Sequence, residues 1–400
     1  MNLPFNNSIA AMLPELIEQR RDLHRHPELL YDLPRTSHLV AERLRAFGFD
    51  EVIEGVGRSG VIGVLHGSHG AAPSAAKRVL FRADMDALPI LEASGAPHAS
   101  ETPGRMHACG HDGHTTMLIG AARLLADACS FDGTLIFCFQ PAEEGGAGAQ
   151  AMIEDGMLDR FPVKGAYGMH NWPGLPVGAF GVARGAAMAS TENFVIVVEG
   201  KGGHAAMPHL TRDPVVAASH IIIATQTIVS RLADPLDPGV VSIAAIRGGE
   251  AYNAIPERVE MRGTIRALSE KQAAAMQEEL RRICMKTAEA LGAQARLEKA
   301  PGLTPYPPLV NHNAETEIAL GAMRAVAGNE RVRDDLRPTM GAEDFAFVLR
   351  RVPGAFILVG NGETASLHNP HYDFNDEAIP HGVAYWTELA RRVLPAEQTQ

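Results

Sequence analysis

The stretch Met106-His107-Ala108-Cys109-Gly110-His111-Asp112-Gly113-His114 puts three histidines, one cysteine and one aspartate within nine residues. Imidazole nitrogen and thiolate sulfur are the donors that a borderline divalent ion prefers. Glycines at 110 and 113 permit the tight turn that would bring such side chains around one point. The apolar run Met117-Leu118-Ile119-Gly120-Ala121-Ala122 follows and predicts a helix, so the donors fall in the turn entering a helix N-terminus. A polar loop that happens to be His-rich is the competing account, and the donor types already favour the metal site over it. The adjacent carboxylates Glu143-Glu144 strengthen that reading, because they follow an apolar strand-like run and precede Gly145-Gly146. Two charged carboxylates in one pocket repel unless a cation lies between or beside them. One of them could bind the ion while its neighbour faces a water on it.

Four apolar runs have to position these groups, and all four repeat one arrangement. Val79-Leu80-Phe81-Arg82 leads into Asp84-Met85-Asp86, and Thr134 to Phe139 into Gln140-Pro141-Ala142-Glu143-Glu144. Gly165 to Met169 leads into His170-Asn171, and Ala355 to Val359 into Gly360-Asn361-Gly362, with His368 shortly after. Short buried strands with intervening helical segments predict a mostly parallel α/β sheet, whose sites form beyond the carboxyl ends of the strands. Taken singly, His170 or His368 reads as a satisfied core histidine. Their shared placement is what argues for a site. Helices are expected over 8–24, ended by Pro27, and over 36–47. Gly55-Val56-Gly57-Arg58-Ser59-Gly60 matches a dinucleotide-binding spacing, but it runs into the strand-like Val61 to Leu65 where a helix is required, so it reads as a hairpin turn. Ser68 to Lys77 reads as a surface loop.

The pattern changes after Ala186. A strand at Phe194 to Val198, a helix at 213–232, strands at Val240 to Ile246 and Arg258 to Ile265, a helix at 269–291 and a strand at 294–299 give the order β-α-β-β-α-β. That is a ferredoxin-like α+β domain, 187–300, inserted into a catalytic domain made of 1–186 and 301–400. Two domains also suit a chain of 400 residues. The net charge of −11 disfavours nucleic acid and anionic membranes. No apolar run reads as a membrane span, the N-terminus lacks signal-peptide regions, and the four cysteines form no disulfide framework, which together make a cytoplasmic protein the expectation.

These residues resemble the M20 metallopeptidase and amidohydrolase family, nearest to its branch of hippurate hydrolases, N-acyl-amino-acid amidohydrolases and auxin-conjugate hydrolases. The resemblance spans nearly the whole chain. It is carried by Leu23-His24-Arg25-His26-Pro27-Glu28, Arg82-Ala83-Asp84-Met85-Asp86-Ala87-Leu88-Pro89, the Cys109/His111 stretch, Gln140 to Glu144, Gly202-Gly203-His204-Ala205-Ala206-Met207-Pro208-His209 and Thr339-Met340-Gly341-Ala342-Glu343-Asp344-Phe345. It implies two divalent ions per subunit, zinc or manganese, on Cys109, His111, Glu144, His170 and His368. Glu143 would be the general base of amide hydrolysis by a metal-activated water, and His204 an oxyanion donor supplied by the partner subunit. Asn253 and Arg266 would hold the substrate's carboxylate, and the inserted domain would make the chain a homodimer, or a homotetramer. Asp84 stands where the wider family has a metal histidine, so the ligands are those of the nearer branch. Asp86 is then expected to orient a ligand, and Asp112 to do the same or cap the following helix. The substrate is expected to be an N-acyl amino acid with its acyl group open. An aminopeptidase or dipeptidase, a non-catalytic metal-dependent binding protein and a nicotinamide enzyme are the alternatives.

Overall fold

A computed structural model describes residues 6–68, 70 and 74–396. Part of the Ser68 to Lys77 loop and the first residues of the N-terminus therefore lie outside the described residues. The chain divides into two compact units.

The first unit comprises 1–187, 310–337 and 344–400. It opens with helix α1 (Asn6–Arg25) and helix α2 (Pro34–Ala46), then a hairpin of β1 (Glu51–Val56) and β2 (Gly60–His66). The Gly55 to Gly60 segment is thus the turn of an antiparallel pair, and the nicotinamide alternative loses its motif. Strand β3 (Arg78–Asp84), helix α3 (His111–Ala128), strand β4 (Thr134–Gln140) and strand β5 (Gly165–Pro173) follow. β3 lies between β4 and β5 and is parallel to both. β4 is buried along its whole length, which is why it reads as a continuous apolar run and not an alternating one. In α3 every residue from His111 to Ala122 is buried, so the donor-bearing turn leads directly into the core.

The second unit comprises 188–309 and 338–343, so it runs past residue 300 and takes in a short later segment. Its elements are β6 (Glu192–Glu199), the two-residue strand β7 (Gly203–His204), α4 (Pro214–Thr227), β8 (Gly239–Arg247), β9 (Ala254–Ile255), β10 (Arg258–Ala267), α5 (Glu270–Ala290) and β11 (Gln294–Lys299). The sheet order is β8-β10-β6-β11, antiparallel throughout, which is the ferredoxin-like split arrangement. Asp213 caps α4 through the amides of Val215 and Val216, and Ser269 caps α5 through that of Gln272. Phe194, Ile196, Val198, Met261, Ile265, Met276 and Leu280 form this unit's own core.

The helical stretch Pro214–Leu232, 19 residues long, is long and apolar enough to cross a bilayer by length and composition. One side packs into the unit through Ala217, Ala218, Ile221 and Ile228. The other side exposes Val216 and Ile223, the latter 69% accessible.

The chain then returns to the first unit through α6 (Asn313–Ala327), β12 (Gly354–Gly362) and α7 (Ile379–Val393). β12 pairs in parallel with β5, which completes the row of four parallel strands β4-β3-β5-β12 within a larger mixed sheet.

Candidate metal centre

Four strand ends and one turn converge on a single point. Gly110 makes the turn at φ 87°, and a Cβ there would sit 2.3 Å from the Asn171 amide and 2.5 Å from the Tyr372 hydroxyl, so only glycine fits. Cys109 and His111 project from this turn. Cys109 Sγ is 3.3 Å from His170 Nε2, which comes from the end of β5. Glu144, beyond β4, places Oε1 at 4.0 Å from His111 Nε2 and 3.1 Å from His368 Nε2. Donor atoms of Cys109, His111 and His170 lie within 4.8 Å of one another, as do those of Cys109, Glu144 and His368, and those of His111, Glu143 and Glu144. All five expected ligands and the expected base are therefore brought together, and the three groups share members.

The hydrogen bonds show which nitrogens are available. His111 Nδ1 donates to the Asp86 carbonyl at 2.7 Å, and His170 Nδ1 to the Asn171 carbonyl at 2.6 Å. Both rings therefore turn Nε2 toward the centre, where a cation could replace any proton it carries. His111 Nε2 and Glu144 Oε1 are buried with no hydrogen-bond partner among the described residues. Burial works against a charged Glu144, but its oxygen forms an ion pair with His368 at 3.1 Å, which lowers its pKa. Buried nitrogen, sulfur and carboxylate donors aimed at one point fit a divalent cation. His114 is a different case. Its Nδ1 pairs with Asp84 Oδ1 at 2.6 Å and its Nε2 accepts the Asn171 amide at 2.9 Å, so it is fully used. Asp84 in turn meets Arg82 Nη1 at 2.7 Å, and Arg82 reaches Gln140 and Asp344. Arg82, a charged residue inside an apolar run, was the sequence signal for this network and went unread.

Electrostatics point the same way. Burial works against a charged His111 ring, yet Asp84, Asp86 and Glu144 outweigh it and push its pKa up to about 10. Burial, reinforced by Glu144 and Glu143, holds the Cys109 thiol well above its ordinary range. A pocket this rich in carboxylate retains protons where a cation would otherwise sit, and an ion there would displace them.

Asp86 does more than receive His111. Its two carboxylate oxygens accept the backbone amides of Glu143 at 2.9 Å and Glu144 at 3.2 Å, fixing the turn that carries both acids. Asp344 holds the far end of that loop through the Ala149 amide at 2.9 Å. Asp112 accepts the Gly113 amide at 2.9 Å within the first turn of α3, and it also pairs with His24.

Within the second unit, His204 is exposed on the β7–β9 ribbon, opposite Ala254. The Asn253 carbonyl accepts the Ala205 amide at 3.0 Å, so the two residues share one tip. Arg266 lines a cavity of about 520 Å³ on the sheet with Asn193, Thr264 and Leu303. It makes no ion pair among the described residues, and burial lowers its pKa.

The sequence profile of peptidase family M20/M25/M40 matches residues 80–392. The chain belongs to that family. Among M20 relatives it is 37% identical to hippurate hydrolase of Campylobacter jejuni, over 96% of this chain and 99% of that one. It is 39% identical to an N-acetylcysteine deacetylase of Bacillus subtilis, over 96% and 98%. Of solved M20 structures, a dinuclear metal-binding peptidase of Bacillus subtilis superposes with a TM-score of 0.82 at 35% identity, covering 97% of this chain and 99% of that one. This M20 chain is thus a metal-dependent hydrolase of amide bonds.

Proposed function

We infer that the protein is a metal-dependent amidohydrolase of N-acyl amino acids, with hippurate-like compounds among its substrates. The observation that carries this is the convergence of the donor atoms of His111, Glu144, Cys109, His170 and His368 on one point. The relatives named for hippurate and N-acetylcysteine support the substrate class over an aminopeptidase or dipeptidase. Two divalent ions would be held by these five side chains, zinc suiting Cys and His and manganese admitted by the carboxylate. When bound, such ions polarise the scissile carbonyl and acidify water. Glu143, held by Asp86, takes a proton from the attacking water and delivers it to the amine nitrogen as the C–N bond breaks. His204 donates to the oxyanion from a partner subunit, and Asn253 and Arg266 receive the substrate carboxylate. The exposed apolar side of α4 supports a homodimer formed through the inserted unit. Four free cysteines support a cytoplasmic setting.

One reassembly experiment tests these assignments. Glu143→Gln and His204→Ala homodimers should each retain metal and lose most turnover, by roughly 10²–10⁴-fold for the base and 10²–10³-fold for the oxyanion donor. Mixed dimers place an intact Glu143 opposite an intact His204, so equal mixing should return about a quarter of wild-type hippurate hydrolysis. Mixed dimers that form without recovered activity would rule out sharing. Near wild-type turnover in Glu143→Gln would rule out the base.

A further inference from the structure

Beyond the ligands and the base, the first unit buries a second set of charged groups that the chemistry does not use. They lie on the opposite side of the Cys109–His111 turn. His24, near the end of α1, is fully buried, and its Nδ1 lies 2.7 Å from Asp112 Oδ2. Its Nε2 lies 3.4 Å from Glu92. Arg20, one turn earlier on α1, brings Nη1 to 3.5 Å from the same Asp112 oxygen and Nε to 2.7 Å from Asp376. His107 completes the set, its ring 6.3 Å from that of His24. The residues of the turn thus point two ways: Cys109 and His111 toward the metal centre, Asp112 and His107 toward α1.

The turn needs an external hold. Its N-cap is Gly110, which offers α3 no side-chain cap, so the turn is held from outside the helix. Other tethers include Asn171 Nδ2 to the Cys109 carbonyl at 2.6 Å, the His368 amide to the Ala108 carbonyl at 2.8 Å, His111 Nδ1 to the Asp86 carbonyl and the longer Arg20–Asp112 contact at 3.5 Å. His24 and Asp112 are a fully buried pair of opposite charge that joins the turn to an element 88 positions away. We propose that His24 is a positioning residue, clamping Asp112 so that Cys109 and His111 stand ready for the ion. The pair sets metal affinity and not only fold stability. This rests on Cys109 and His111 being ligands.

The two amide substitutions of His24 separate these roles. Asn places its donor near Nδ1, toward Asp112, whereas Gln places it near Nε2, toward Glu92. The test is a competitive titration of the metal-free protein with Co²⁺, read by dissociation constant and by the cobalt–thiolate charge-transfer band of Cys109. His24→Gln should weaken Co²⁺ binding about 10–100-fold, the range for outer partners of a metal site, and shift the band. His24→Asn should stay within about threefold of wild type. Val40→Ala, a cavity in the buried face of α2, controls for simple destabilisation and should leave the constant unchanged. Equal constants and spectra for the Asn, Gln and wild-type proteins would overturn the clamp. A wild-type protein that binds Co²⁺ without any thiolate band would overturn the Cys109 assignment, and the clamp with it.

Discussion

His111 and His114 stand one turn apart on α3 with ring centroids 5.4 Å apart, both fully buried and both beside Asp84. Either, with Asp84, has the composition of a metal site. They differ in what their second nitrogen meets. His114 spends both nitrogens on Asp84 and the Asn171 amide, whereas His111 spends one on the Asp86 carbonyl and leaves the other unpaired. Proximity of histidine and carboxylate therefore does not define a ligand; a ring nitrogen left without a hydrogen-bond partner does. The saturated cluster is scaffold, and its Arg82 balances the carboxylates that the metal centre keeps in excess.

The largest expected effect breaks this comparison directly. His111→Ala should lower the metal content measured by elemental analysis and reduce turnover by roughly 10³-fold or more, since several kcal/mol of charge stabilisation are lost. His114→Asn should retain its metal and weaken binding or activity by about 10–100-fold at most. Equal metal loss in both variants would erase the distinction. A middle-sized effect concerns the loop between the two clusters. Asp86→Asn presents an NH₂ to one of the two backbone amides, of Glu143 and Glu144, that each need an acceptor. Its kcat should fall about 10–100-fold with KM little changed, as steady-state kinetics on the metal-loaded enzyme would show.

The smallest effect is one of stability. Burial opposes a charged His24 ring, but Asp112 and Glu92 outweigh it and raise its pKa to about 9, above the ordinary value of 6.5. A group whose pKa rises on folding stabilises fully below its unfolded value and loses that contribution as pH climbs through its folded value. The metal-free protein should therefore lose on the order of 1–3 kcal/mol between about pH 6.5 and 9.5. Urea titrations across that range should show the decline in wild type and a flatter profile in His24→Asn.

Much of this arrangement was legible in the sequence because burial on both faces writes a parallel strand as an unbroken apolar run, and the four that end in polar residues could be aligned by eye. After Ala186 the order of strand-like and helical segments, not burial on both faces, made the antiparallel inserted sheet legible. What stayed hidden depends on partners distant in the chain. Nothing near His114 reveals that Asp84 and Asn171 consume its nitrogens. Nothing near His24 reveals Asp112. The proline-rich segment 301–308 looked like the return to the first unit, but chain direction does not show which residues pack together, and Tyr306 exchanges hydrogen bonds with Thr191 in the inserted unit. Pro214–Leu232 read as a helix from its apolar residues, and Ala217, Ala218, Ile221 and Ile228 are the ones that pack into the core of the inserted unit.

The burial of Cys109 bears on how the enzyme ages. A thiol held protonated by its surroundings reacts slowly with peroxide and alkylating agents, because the thiolate is the reactive form. Without an ion beside it, the Cys109 sulfur is therefore expected to be slow to oxidise or alkylate.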